Sequence, residues 1–171
     1  MKYKLISLAV LFAILSTLAL PVLGTTVQAQ GSPLQDIPIV GDIAGGGTFE
    51  GTFDLQRFIL QGGELFAVGT LSGTLTNAAG EVIGTVTDVA VQLPVGFGNA
   101  TCEILELTLG PLDLTLLGLN VFLDTVFLEI TAEQGGGLLG DLLCAIANLL
   151  NNDAPLRSVL NLLNQILRLL G

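Results

Sequence analysis

From Phe49 onward, apolar and polar residues alternate along the chain. Phe49, Gly51, Phe53 and Leu55 take turns with Glu50, Thr52, Asp54 and Gln56, a period of two that predicts a strand with one wet face. Leu65, Ala67, Gly69, Leu71, Gly73 and Leu75 follow the same rule, Asn77 to Gly80 has turn composition, and Val82, Gly84 and Val86 resume beyond it. Leu71 to Thr87 therefore reads as a hairpin, and the strand continuing through Val89, Val91 and Leu93 is expected to stop at Pro94. A second block runs from Cys102 to Thr131. Its apolar phase is Leu105, Leu107, Leu109, then Leu112, Leu114, Leu116 after Gly110-Pro111, then Val121, Leu123, Val126, Leu128 and Ile130. The phase slips at Leu116-Leu117 and at Asp124-Thr125, which predicts turns or bulges there.

After Gly135-Gly136-Gly137 the period lengthens. Leu138 to Leu150 and Ala154 to Leu170 read as helices, joined by Asn151-Asn152-Asp153, with Asp153 as the expected N-cap and Pro155 in the first turn. Arg157, Asn161, Asn164 and Arg168 form one narrow polar stripe on the second helix, and Asp141, Ala145, Asn148 and Asn152 form its counterpart on the first. Both helices are thus expected to bury most of their surface. Strands first and helices last predict an α+β fold: an antiparallel sheet of about six to eight strands with a C-terminal helical hairpin packed against it.

Two stretches precede this domain, assigned to 48–171. Residues 30–47, rich in Gly, Pro and Asp, have no sustained period and read as an extended lead-in. Residues 1–29 have the form of a secretory signal peptide: Lys2 and Lys4, an apolar run from Leu5 to Leu20, and a small-residue cleavage site at Val27-Gln28-Ala29. Removing those 29 from the 171 residues leaves a chain of 142, enough for one domain burying on the order of 70% of its unfolded surface. No later run approaches the ~20 apolar residues of a spanning helix, so no transmembrane segment is expected after signal removal. The expected location is secreted, periplasmic or in the cell envelope.

That processed chain has three arginines, Arg57, Arg157 and Arg168, against 15 carboxylates, and no Lys, His, Tyr, Trp or Met. Its excess of negative charge argues against nucleic acid as a partner. A serine nucleophile at Ser32, Ser72 or Ser158 would lack every common base, which excludes a triad, and a phosphate loop would lack its lysine. Paired carboxylates, Glu103 with Glu106 or Glu129 with Glu133, are the remaining catalytic option, but most of these acids occupy the polar phase of a strand, where solvation alone explains them. A calcium site has oxygen ligands but no Asp-x-Asp-x-Asp-Gly loop. Asn99-Ala100-Thr101 is a sequon that arises readily by chance. No catalytic, cofactor or metal residue is assigned.

Cys102 and Cys144 are an even pair in an exported chain and read as one disulfide, with reduced buried thiols the alternative. A bond would place their Cα atoms about 4.4 to 6.8 Å apart and staple the helical hairpin onto the sheet. Two thiolates without imidazole do not make a structural zinc set.

The stretch Cys102-Glu103-Ile104-Leu105, Leu107-Thr108-Leu109-Gly110-Pro111-Leu112-Asp113-Leu114, Leu116-Leu117-Gly118-Leu119, followed by Leu138-Leu139-Gly140-Asp141-Leu142-Leu143-Cys144, resembles a family of uncharacterised exported bacterial proteins. These carry a cysteine before an LTLGPLDLxLLGL stretch and a second in an LLGxLLC helix. The resemblance spans Cys102 to Leu150. It implies a disulfide and a bacterial origin, and brings no activity, ligand or catalytic residue.

Three classes of function follow as expectations. The first is a secreted, non-enzymatic structural or cell-surface interaction protein engaging another protein. The second is a carrier of lipid or other apolar molecules between sheet and helices, and the third a carboxylate-dependent hydrolase.

Overall fold

The computed structural model describes residues 34–133 and 137–171; the expected signal peptide and the first two glycines of Gly135-Gly136-Gly137 lie outside them. The strands are β1 (Ile37–Ile43), β2 (Gly47–Gln61), β3 (Glu64–Asn77), β4 (Val82–Ala100), β5 (Ile104–Leu109), β6 (Leu112–Leu116), β7 (Leu119–Leu123) and β8 (Val126–Thr131). Two helices follow, α1 (Leu138–Asn151) and α2 (Leu156–Leu170). The strands form one antiparallel sheet of eight in the order β6-β7-β1-β2-β3-β4-β5-β8, the α+β arrangement the sequence pattern implies.

The sheet is not flat. β6, at one end of that order, returns into contact with β4, so β6-β7-β1-β2-β3-β4 curl round on themselves. The long β4 serves two partners: its first part pairs with β3 and its last part, from Val95, with β5. β5 and β8 thus extend from the curl as a two-strand wing. One face of all eight strands is apolar, and its buried residues, from Phe49 and Leu71 to Leu107 and Ile130, make a single cluster with Leu143 and Ile146 of α1 and Leu163 and Ile166 of α2.

Glycine makes room in this core. Gly51 and Gly69 lie on the buried face, and a methyl group added there would sit 2.7 Å from Phe49 Cζ and 2.8 Å from Phe53 Cζ respectively. The two rings, both fully buried, lie over backbone that has no side chain of its own.

Four expectations are corrected. Residues 30–47 are not merely a lead-in: Ile37, Ile39 and Ile43 alternate with Pro38, Val40 and Asp42 as β1, between β7 and β2. Pro38 is tolerated because β7 pairs only with Gly41 to Ile43, and the missing N–H therefore removes no rung. Pro94 does not end β4. It lies where β4 exchanges β3 for β5, and its carbonyl still accepts the Gly110 N–H at 2.9 Å. Asp153 does not cap the second helix: it has a positive φ of 51°, and Pro155 takes the N-cap position, accepting the Ser158 N–H at 2.9 Å. Finally, α2 does not bury most of its surface. Only Val159, Leu163 and Ile166 are buried, although α2 packs against α1 as well as β2 and β3; its remaining residues are half-buried or exposed.

Other turns match their sequence. Leu117 and Gly118, at the first phase slip, both have positive φ and join β6 to β7 as a two-residue hairpin loop. In the β3–β4 turn, Asn77 Oδ1 accepts the N–H groups of Ala79 and Glu81.

Candidate functional site

The wing has one covered face and one open face. α1 contacts β4 and β5 on the apolar side, and the Cys102–Cys144 disulfide, with a Cα separation of 4.0 Å, ties the middle of α1 to the residues just before β5. That separation falls slightly below the expected 4.4 Å. Both residues singled out for the disulfide are therefore brought together, and the thiol alternative falls.

On the open face, strand register sets the arrangement. Gly96 of β4 stands opposite Thr108 of β5, and Thr108 opposite Phe127 of β8; one step along, Glu106 stands opposite Glu129. Phe127 is 81% exposed, more than any other large apolar side chain described. Glu106, Thr108, Phe127 and Glu129, with Gly98, line an open groove of about 300 Å³. Glu106 is held in place because its Oε2 accepts the Asn99 N–H at 3.0 Å.

The carboxylate couples nominated from sequence, Glu103 with Glu106 and Glu129 with Glu133, are not the ones the fold makes. Glu103 precedes β5 and Glu133 follows β8, both exposed, and the cross-strand couple is Glu106 with Glu129. Like charges directly opposite on a strand pair repel. Beside the exposed ring of Phe127, they form a site suited to a cationic group, which would relieve the repulsion and meet the face of the ring. Ser72, excluded as a nucleophile, serves the fold instead, because its Oγ accepts the Asp88 N–H at the bulge in β4. Among the described residues no group of three or more His, Cys, Asp and Glu is placed to hold a metal ion. No helix among them is long and apolar enough to cross a membrane.

The outer edge of β8 is the second part of the site. The Ala132 N–H to Glu103 carbonyl bond at 2.9 Å sets the alternation of the β5–β8 ladder. By that alternation Phe127, Glu129 and Thr131 direct their backbone N–H and C=O away from β5. No described strand pairs with them there. Phe127 was legible in principle: it is a large aromatic in the polar phase of a strand, between Val126 and Leu128, and the apolar count passes over it.

Compared with known proteins, the chain matches no family model, no curated protein and no solved structure.

Proposed function

We propose that the protein is an exported, non-enzymatic interaction module that adds an extended, basic segment of a partner protein to the free edge of β8. The observation that carries this reading is Phe127, 81% exposed on a terminal strand whose outer backbone groups have no described partner. A large apolar side chain in water beside an open ladder is the combination that strand addition uses: backbone bonds supply affinity and the flanking side chains supply choice. Here the choice is for cations, because Glu106 and Glu129 lie together next to the ring. Export is supported by the signal-like leader and by the disulfide, which persists in oxidising compartments. The non-enzymatic reading rests on an alphabet without His, Lys or Tyr after residue 29 and on carboxylates that lie on an open face.

The test uses a hexapeptide of alternating Arg and Val, with a Glu/Val hexapeptide as control, titrated into labelled protein. The expected result is amide shift changes confined to Phe127, Glu129, Thr131 and their neighbours for the Arg peptide alone, lost in Phe127→Ser and Glu129→Lys. Equal response to the Glu peptide, or no response along β8, would overturn the reading. Native mass spectrometry of protein from its own producer gives a second check, because a co-purifying lipid would favour the apolar carrier instead.

A further inference from the structure

The described residues contain three cations, Arg57, Arg157 and Arg168, and 15 carboxylates. None of the three has an ion-pair partner among the described residues, and all belong to α2 or to the part of β2 beside it. Two of them, Arg57 and Arg168, line one groove of about 620 Å³ together with the amides of Gln56, Asn161 and Gln165 and the apolar side of Leu167.

Local structure builds this groove. β2 has a bulge between Leu55 and Arg57, so Gln56 and Arg57 are both exposed where a regular strand would have turned one of them inward. Beyond the bulge β1 no longer reaches β2, and α2 takes its place. The side-chain amide of Asn164 accepts the Phe58 N–H at 2.9 Å and donates to the Phe58 carbonyl at 3.0 Å, acting as one rung of a neighbouring strand. With Asn164 so fixed, Asn161 lies one turn before it and Arg168 one turn after, both facing the exposed bulge. None of the side chains of Gln56, Arg57, Asn161, Gln165 and Arg168 has a hydrogen-bond partner among the described residues.

We propose that this groove binds acidic sugar units, with Arg57 and Arg168 holding the carboxylate or sulfate and the amides of Gln56, Asn161 and Gln165 bonding the hydroxyls. Guanidinium groups match the planar fork of an oxyanion, and primary amides, each both donor and acceptor, match hydroxyl groups. The volume admits a ligand of a few sugar rings, and Leu167 offers an apolar surface to a ring face. A long phosphate polymer is disfavoured by the formal charge of −10 on the whole chain, whereas a short oligosaccharide meets only the groove. This site lies on α2 and the β2 bulge, away from the β8 edge, and stands or falls independently of it.

The test is calorimetry on the protein with its disulfide intact, using a galacturonate trimer, a sulfated galactose trimer, a neutral galactose trimer and inorganic phosphate. Saturable binding of either acidic trimer, at least ~10-fold tighter than the neutral trimer and phosphate, is expected, and the tighter of the two identifies the anionic group. Arg57→Gln and Arg168→Gln should each weaken it ~10-fold or more, while Arg157→Gln, at the far end of α2 and outside the groove, should change it less than ~2-fold. Asn161→Ala should weaken the acidic trimer and leave phosphate unchanged. Phosphate binding as tightly as both trimers, loss of binding in Arg157→Gln equal to that in Arg168→Gln, or no saturation by either acidic trimer would each overturn the proposal. Melting curves of the variants, expected to coincide with that of the unaltered protein, separate a lost contact from a lost fold.

Discussion

Asn164 has a role at the residue scale that its place in a polar stripe conceals. Stripe position alone treats it as equivalent to Asn161, three residues earlier on the same helix. Asn161 is exposed, whereas Asn164 is half-buried and satisfies both backbone groups of Phe58, a residue only 4% exposed. Removing that amide leaves an N–H and a C=O partly buried without partners, and each such loss costs about 1 to 3 kcal/mol. Asn164→Ala should therefore destabilise by roughly 2 kcal/mol or more in urea unfolding, while Asn161→Ala stays within about 0.5 kcal/mol. Equal values for the two would mean that the Phe58 rung contributes nothing. No spacing rule distinguishes these two asparagines, because the difference arises from where β1 ends and the β2 bulge begins, which is a matter of tertiary pairing.

Among the elements, periodicity located most strands and both helices because a half-buried strand and a one-sided helix each impose their period on the residue types. It failed where chemistry other than polarity decided. β1 was hidden by Pro38, Gly41 and Asp42, turn formers that its position between two partial ladders tolerates, and β4 runs past Pro94 because the proline falls at a change of partners. Within β4, the buried set moves from Val86 to Val91 and Leu93 across the bulge at Asp88, whose φ is 52°. The wing site was legible only in part: the acids were visible, but their coupling across β5 and β8 depends on a register that sequence does not state. Helix α2 supplies a direct test of how burial is distributed. Leu163 is buried and Leu169 is 45% exposed, though both are leucines six residues apart in a leucine-rich stretch. A charge forced into the core at Leu163→Asp should cost several kcal/mol, against less than about 1 kcal/mol at Leu169→Asp. A similar drop in melting temperature for both variants would contradict one-sided packing.

For the whole molecule, the curl and the wing are joined through one strand. β5 and β8 join the rest of the sheet only through the last part of β4, and α1 packs over β4 and β5. The disulfide ties α1 to the β4–β5 turn at the far end of the wing, linking residues 42 apart in sequence. In the chain-entropy description, closing a loop of that length restricts the unfolded chain by roughly 4 kcal/mol, a large share of the stability of a small domain. The effect should not be spread evenly. The curl keeps its own buried rings, Phe49 and Phe53, and the Asn164 rung, none of which touches the bridge. The wing loses the link that holds α1 over its apolar face. In the Cys102→Ala/Cys144→Ala double variant, hydrogen exchange should therefore accelerate first at Leu107 and Leu128 of the wing, with Leu71 of β3 remaining protected to the level of global unfolding. Urea unfolding of the same variant should show a loss of about 2 to 5 kcal/mol. Uniform acceleration at all three amides would show that curl and wing unfold as one unit, and a loss below about 1 kcal/mol would show that leucine packing alone holds α1 in place.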